Sequence, residues 1–306
     1  MKKIVIIDYN GMPYRYIYGG APQLWHTVNG VAINTTIPAY TIKEIVRLSG
    51  YGDNELAVVM DMGKPIERSE KLVEAFGQVY KEGRKSQMPS FYAGINLTEE
   101  ILRLGGVSVY REKGIEADDI IYNLAREKES QGYKVEIFTN DSDLLCLVNA
   151  DITVYFRGKK TLGEFKNYIR IDRDNFEEYV NEFSATKGYY IPYNSIYFFK
   201  LLRGDKADNL PAFKGYGQAK YNDFMWTLAS CATDFKKFRP ENFDYILECL
   251  EQFEYDGTDS GLVEHVKKMH YVMEFEALEL SNPTRYDWTK LQIECSRYRI
   301  TLPQWK

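Results

Sequence analysis

The sequence predicts an α/β protein: a central, mostly parallel sheet flanked by helices, followed by a helical subdomain. Three observations carry this. Short β-branched runs alternate with helical patterns from residue 3 to about 156, the rhythm of parallel strands joined by crossover helices. Nearly every early run ends in an acid or leads into one. After about residue 175 the strand-like runs stop and helical spacing takes over. A boundary near 180 therefore divides the chain into an α/β part, 1–180, and a helical part, 181–306.

The elements follow in order. Residues 3–8 form a β-branched run ending in Asp8, with Asn10-Gly11 as a turn signal. Residues 38–49 have helical apolar spacing. The run 55–61 (ELAVVMD) is a second buried strand, ending in Asp61. Residues 64–90 are polar and basic, and their spacing fits helix or loop. Thr98 with Glu100 opens a helix that Gly105-Gly106 stops. Residues 107–110 are a third strand leading into Gly114-Ile115-Glu116-Ala117-Asp118-Asp119. A helix follows from 120 to 128, then strands at 135–139 and 152–156 with a short helix at 144–148 between them.

Composition narrows the class. A chain of 306 residues, 44% hydrophobic and 27% charged, can bury one large core or two modest ones. No apolar run approaches the roughly 18 residues of a membrane span. Two lysines and four apolar residues at the start are too few for a signal peptide. The four cysteines form no CxxC pair and no zinc spacing with the three histidines. They read as reduced thiols in a cytoplasmic protein. His26, His265 and His270 are isolated and receive no role. The net charge of −5 looks wrong for a nucleic-acid partner, yet it includes the acids discussed next, and local patches matter more than the total. Most of the 25 tyrosines are expected in the core and at its rim.

Ligands of parallel sheets bind beyond the carboxyl ends of the strands. Asp8, Asp61, Glu116, Asp118, Asp119, Asp141 and Asp143 all follow strands at that edge. Glu116 and Asp119 lie one helical turn apart, and opening a helix on acids lets its amide dipoles offset some charge. Each feature alone has a plain structural reading, as turn, N-cap or dipole complement. Their convergence on one edge implies a counter-charge. An oxygen-only donor set suits magnesium or manganese. Two such ions clamp the attacking and leaving oxygens of a phosphodiester displacement. A third acidic pair, Asp205 and Asp208, precedes Gly215 and Gly217. Glycines before a helix let backbone N–H groups approach a phosphate, and Lys214 and Lys220 add charge.

The motifs IIDYN, VVMDMGK, YKEGRK, GIEADDI, FTNDSDLLCLV and GDKADNLPAFKGYGQAK run in this order from the N-terminus to residue 220. Together they resemble the 5′ nuclease family, the flap endonucleases and 5′–3′ exonucleases, which includes bacteriophage enzymes and the 5′-nuclease domain of bacterial DNA polymerase I. The resemblance implies a PIN-like fold with a helix–turn–helix-like duplex-binding element at about 202–225 and a basic arch region at about 64–106. It implies that Asp8, Asp61, Glu116 and Asp118 hold a first Mg²⁺ (or Mn²⁺), that Asp119 lies between the sites, and that Asp141, Asp143, Asp205 and Asp208 form a second. Lys81 and Arg84 would engage the scissile phosphate, Lys85 would add a DNA contact, and Tyr80 would stack on a nucleotide. Arg15 matches a phosphate-contacting position. Lys214, Gly215, Gly217 and Lys220 would grip the duplex, with a K⁺ ion. The implied substrate is DNA with a 5′ flap, nick, gap or free 5′ end, or an RNA–DNA hybrid, bound by a monomer.

Two departures stand out. Residues 86–113 are short for an arch, and Pro89 and Gly94 interrupt them. The turn after Asn209 reads PAFKGYG, with Ala212 where the family commonly has glycine. A DNA-binding relative without catalysis is the first rival reading; the unbroken set of acids argues against it. A phosphohydrolase with Asp8 as nucleophile is the second; it commonly wants an acid where Asn10 stands.

Overall fold

The structure, a computed structural model, describes residues 2–50, 52–83, 86–158, 167–180, 188–192, 195–231, 233–255 and 260–303. Its centre is a six-stranded sheet in the order β5-β4-β1-β6-β7-β8. The strands are β1 (Lys3–Asp8), β4 (Glu55–Val59), β5 (Ser108–Tyr110), β6 (Lys134–Thr139), β7 (Ile152–Arg157) and β8 (Tyr168–Ile171). All pairs are parallel except β7 with β8. The five strands expected from the apolar runs are present, and β1 sits in the middle, between β4 and β6.

Side chains alternate across the strands, and both faces are covered. Ile4, Ile6, Ala57, Val59, Val135 and Ile137 point to one core; Val5, Ile7, Leu56, Val58 and Phe138 point to the other. Helix α5 (Ala117–Ser130) packs on the first face through Ile120, Ile121 and Leu124. The second face is covered by α1 (Gly11–Tyr18), α2 (Thr36–Leu48) and α4 (Pro89–Leu104).

Several elements differ from expectation, each for a local reason. Pro89 opens α4 instead of interrupting the segment, since proline fits the first helical turn, where its missing N–H is not needed. Gly94 sits inside α4, where a Cβ would come within 2.7 Å of Ile37 Cδ1, so glycine allows α4 and α2 to touch. The basic stretch divides into α3 (Ile66–Phe76) and a connection that ends at Met88. The expected arch region is therefore two helices, and α4 is a core element. A hairpin of β2 (Trp25–Val28) and β3 (Val31–Asn34) turns on Asn29 (φ 51°) and Gly30 (φ 79°), an Asn-Gly signal of the kind that two-residue hairpins favour.

The helical part contains α6 (Ile196–Arg203), α7 (Gln218–Ser230), α8 (Phe243–Tyr255) and α9 (Leu262–Met273). It shares one core with the α5 face: Phe198, Leu201 and Leu202 belong to the same cluster as Ile120 and Leu144. Phe275, Leu278 and Leu280 still pack against this core, but residues 281–303 leave it. The amide of Leu56 donates to the Thr284 carbonyl at 3.2 Å, and the Tyr110 hydroxyl donates to the Ser281 carbonyl at 2.5 Å. Helix α10 (Trp288–Arg297) then joins the opposite core through Leu291 and Cys295. Of the described residues after 180, α6 to α9 thus pack on one face of the sheet and α10 on the other.

Gly94→Val forces a branched side chain against Ile37. We expect a stability loss of roughly 1–3 kcal/mol, read as a lower urea midpoint. Adding Ile37→Ala should recover part of that loss in the Gly94→Val background.

Candidate metal-dependent active site

The carboxyl ends of β1, β4, β5 and β6 open onto a cavity of about 250 Å³. Asp8, Asp61, Glu116, Asp118, Asp141, Asp205 and Asp208 line it, with Asn10, Gly11, Tyr14, Lys81 and Asn140. Seven of the nine expected acids therefore share one space.

Short local bonds aim them. Asp8, only 6% exposed, accepts from the Thr139 hydroxyl at 2.8 Å and from the Asn10 amide at 3.1 Å. The Asn10 side chain in turn accepts from the Asp61 amide at 2.9 Å. Asp61 accepts from the Ala117 amide at 2.8 Å, which ties the β4 end to the N-terminus of α5. The Asp143 amide donates to Asp141 at 2.9 Å, an Asx turn that presents the pair. Asp205 closes its own loop: its side chain accepts from the Ala207 amide at 2.8 Å, and its backbone pairs with Leu210. Gly11 faces Asn140 so closely that a Cβ would lie 2.1 Å from the amide oxygen, so any side chain there would have to displace the Asn140 amide from the cavity wall.

Crowding and burial shift the acids upward. Burial pushes Asp8 up to about 6, with Asp61 adding to the shift. Burial also raises Asp143 to about 6 despite the Lys200 ammonium beside it. Asp118 is pushed well above the carboxylate range by burial and then by Asp141, Glu116, Asp8 and Asp143. Two acids go the other way: Asp205, which burial would raise, is held below its ordinary value by the Lys200 ammonium, and Glu116 is lowered too. Burial alone would raise Glu116, but Arg68 and then Lys81 hold it below its ordinary value.

Arg68 and Lys200 are cations at the carboxylate cluster that the sequence did not disclose. Arg68 is 9% exposed and bonds Glu116 as well as Asp119, the latter at 2.8 Å. Removing one partner of such a buried pair costs roughly 3–5 kcal/mol. Lys200, on α6, bonds Asp143 and, at 2.9 Å, Asp205. The available signal was a single lysine in the apolar run Ile196–Leu202. Asn10 and Asn140 also went unassigned as site residues.

Four expectations meet a different placement. Asp119, expected between two metals, is fully buried and turned toward Arg68 and the Glu276 amide. Asp143 lies in a small inner chamber of about 30 Å³, with Asp118, Asp208, Lys200 and Arg68 around it. Tyr80, expected to stack on a nucleotide, is 2% exposed; its hydroxyl donates to Glu116 and Asp208 at 3.2 Å, and its ring has no free face. Arg15, expected at a phosphate, donates to Glu44 at 2.7 Å outside the carboxylate cavity. Arg84 and Lys85 lie outside the described residues.

Lys81 is the only cation lining the cavity among the described residues. It bonds Glu116 and stands 3.9 Å from Asp208. Its backbone is left-handed (φ 51°), a conformation uncommon for lysine. The Lys81 amide holds it there by donating to the Asp208 carbonyl at 3.2 Å. Asn209 donates to the Val79 carbonyl at 2.9 Å, so the loop after α3 and the Asp205–Leu210 loop form one docked unit. Lys214, Gly215, Gly217 and Lys220 surround the exposed start of α7, away from the cavity. Gly215 is left-handed at φ 89°, and Gly217 caps the helix.

Among the described residues no three His, Cys, Asp or Glu side chains already form a closed metal cage. The acids instead face an open cavity through oxygen atoms only, while burial and mutual repulsion raise several of their protonation points. That donor set fits hard divalent cations that keep much of their water.

The raised carboxyls give a signed stability test. Asp8 binds a proton near pH 6 when folded but near its ordinary 3.8 when unfolded. Between those values the folded state holds more protons, so this group adds stability as pH falls. In EDTA, Asp8→Asn should melt above the wild type at pH 7.5, and the gap should close as pH falls through about 6. Mg²⁺ should raise the wild-type midpoint at pH 7.5 more than that of the variant. A gap that widens toward acid pH would contradict the burial account.

Comparison with known proteins agrees with this geometry. Residues 3–181 match the family model described as the 5′-3′ exonuclease, N-terminal resolvase-like domain. DNA polymerase I of Mycobacterium tuberculosis is 30% identical over 215 residues, covering 70% of this chain and 22% of that protein. The chain thus spans about a fifth of the length of the polymerases it matches. The 5′-3′ exonuclease of Mycoplasma pneumoniae is 28% identical over 252 residues, 82% of this chain and 79% of that one. Among solved structures, the T5 5′-exonuclease with bound zinc ions aligns at a TM-score of 0.53 and 15% identity, covering 90% and 99% of the two chains. The catalytic core of Rad2 with a DNA substrate aligns at 0.51 and 16%, covering 97% and 87%. These distant likenesses show the fold. With a family model over more than half its length, this chain belongs to the 5′-3′ exonuclease family.

Proposed function

We propose that this protein is a structure-specific 5′ nuclease that hydrolyses phosphodiesters near the 5′ end of DNA or RNA–DNA. One observation carries the reading: seven carboxylates and one lysine share a single open cavity at the carboxyl edge of the sheet. Asp8, Asp61, Glu116 and Asp118 would hold one Mg²⁺ (or Mn²⁺), and Asp141, Asp143, Asp205 and Asp208 a second. Bound there, the ions supply Lewis-acid polarisation of the phosphoryl group and lower the pKa of water.

The chain's own side chains do the rest. Arg68 and Tyr80 hold the Glu116 carboxylate in place at the cavity, where Lys81 also bonds it. Lys81 puts an ammonium among the acids, where it can take the extra charge that builds on a phosphoryl oxygen in the transition state. Tyr14, 43% exposed at the cavity wall, offers an aromatic edge beside which a base could lie. The exposed start of α7, with Lys214 and Lys220 beside it, presents amides to duplex phosphates, and a K⁺ ion bridging there is part of the proposal.

The connection between α3 and α4 spans only residues 77–88, and part of it is docked on the Asp205–Leu210 loop. The cavity mouth is therefore expected to admit a 5′ strand from the side. A bulky block on the 5′ terminus of a flap should slow cutting by less than about threefold. Inhibition beyond tenfold would mean that the strand must thread through a closed aperture.

End-labelled flap, nicked and gapped DNA with Mg²⁺, against an EDTA control, tests the function directly. Lys81→Ala should lower the single-turnover rate by roughly 10²–10³-fold with little change in binding. Asp118→Asn should abolish cutting while DNA binding persists. A wild-type protein that cuts none of these substrates in Mg²⁺ or Mn²⁺ sinks the proposal.

A further inference from the structure

A second cavity, of about 640 Å³, lies between α1, α2, the end of β7 and residues 301–303. Its lining includes four cations, Arg15, Lys43, Arg47 and Arg157, against one carboxylate, Glu44. Glu44 is already saturated. It accepts from Arg15 at 2.7 Å, from the Tyr16 hydroxyl at 2.5 Å and from the Tyr168 hydroxyl at 3.2 Å. Arg157 stands 3.7 Å from it, too far for a hydrogen bond.

Two features point to an anionic ligand. Lys43 and Arg47 make no ion pair among the described residues. Helix α2 buries ten of its thirteen residues, and the three left over are Tyr40, Lys43 and Arg47. At positions i, i+3 and i+7 these share one face, so the only uncovered strip of that helix is an aromatic ring with two cations. The Tyr40 ring stacks on Tyr16, with centroids 5.1 Å apart and planes at 18°.

The cavity is also placed for the substrate. Tyr14 lines the carboxylate cavity, whereas Arg15 and Tyr16 line this one. Two faces of one helix thus serve two openings. The eight residues of α1 span about 12 Å, roughly three to four phosphate steps of a strand at 3.4 Å each.

We infer that this cavity is a second phosphate site, in which Lys43, Arg47 and Arg157 take backbone phosphates of a nucleic-acid strand that continues past α1 from the carboxylate cavity. The inference rests on the nuclease reading for the identity of the strand. It does not rest on it for the anion preference, because a free nucleotide carries the same phosphate chemistry.

The test measures binding of a 5′-flap DNA by anisotropy across a KCl series, with Ca²⁺ in place of Mg²⁺, for the wild type and for Lys43→Ala/Arg47→Ala. The double variant should bind about tenfold more weakly at 100 mM salt, and its log–log salt slope should be shallower by about 1–2, one unit per lost phosphate contact. Its single-turnover cutting rate at saturating DNA should match the wild type, since neither residue touches the carboxylate cavity. Added deoxynucleoside monophosphate at constant ionic strength should compete with DNA in the wild type and not in the double variant if the site also takes free nucleotides. DNA weakening without that competition assigns the site to the strand alone. A double variant with affinity within twofold and an unchanged slope overturns the inference. A wild type that binds DNA but cuts none in Mg²⁺ overturns the nuclease reading and leaves the phosphate site standing. A wild type that binds none overturns both.

Discussion

The mutual repulsion of carboxylates at one sheet edge is the constraint on which the rest of the structure turns. Seven acids in one small cavity cannot all be ionised in a dry environment. The chain meets this in two ways. It leaves the cavity open to water, and it brings cations from distant segments to the rear and rim of the cluster. Arg68 comes from α3, Lys81 from the loop after it, and Lys200 from α6. Each is fixed to an acid by a direct bond, so the helical part and the basic connection are held to the sheet by the charge problem itself.

This arrangement separates two roles that look alike in sequence. Glu116 and Asp119 are one turn apart, and the motif offers no reason to distinguish them. In the fold Glu116 reaches the cavity from the N-cap of α5, while Asp119 turns inward to Arg68 and caps the Glu276 amide. Asp119 thus acts as the counter-ion that positions Arg68, and Arg68 positions Glu116. Tyr80 is comparable: a tyrosine next to a basic pair reads as a stacking residue, but its hydroxyl is the bridge between Glu116 and Asp208. Both differences depend on partners at least 36 residues away, which no local pattern records.

The strands and the acids that end them were legible because short, nearly continuous β-branched apolar runs and terminal aspartates are local signals. The edge on which those acids meet followed from parallel topology alone. The β2–β3 hairpin was legible in principle from Asn29-Gly30 between alternating residues. The helix α4 was partly hidden by Pro89 and Gly94, which read as breakers until their positions, at the first turn and against Ile37, are known. The counter-ion Arg68 was not legible, since an arginine in an amphipathic helix has no mark that separates buried pairing from solvation, and Lys200 carried only the mark of standing alone in an apolar run. The return of residues 281–303 to the opposite core was equally silent, because its few bonds and its apolar residues Leu291 and Cys295 find partners far back in the chain.

That return has a consequence for how the molecule comes into being. Ser49, at the end of α2, shares a hydrogen bond with Tyr286, 237 positions later, and Leu291 fills the space left by Gly105. The layer that carries the first acids therefore lacks part of its covering while the ribosome is still making the helical part. Contacts of such long sequence separation are slow to form, and until they do, the apolar side of α4 that α10 will cover is exposed to chance encounters. The complete carboxylate cradle needs Asp205 and Asp208 as well, so a nascent fragment that has made only the first strands does not yet present an organised carboxylate cluster.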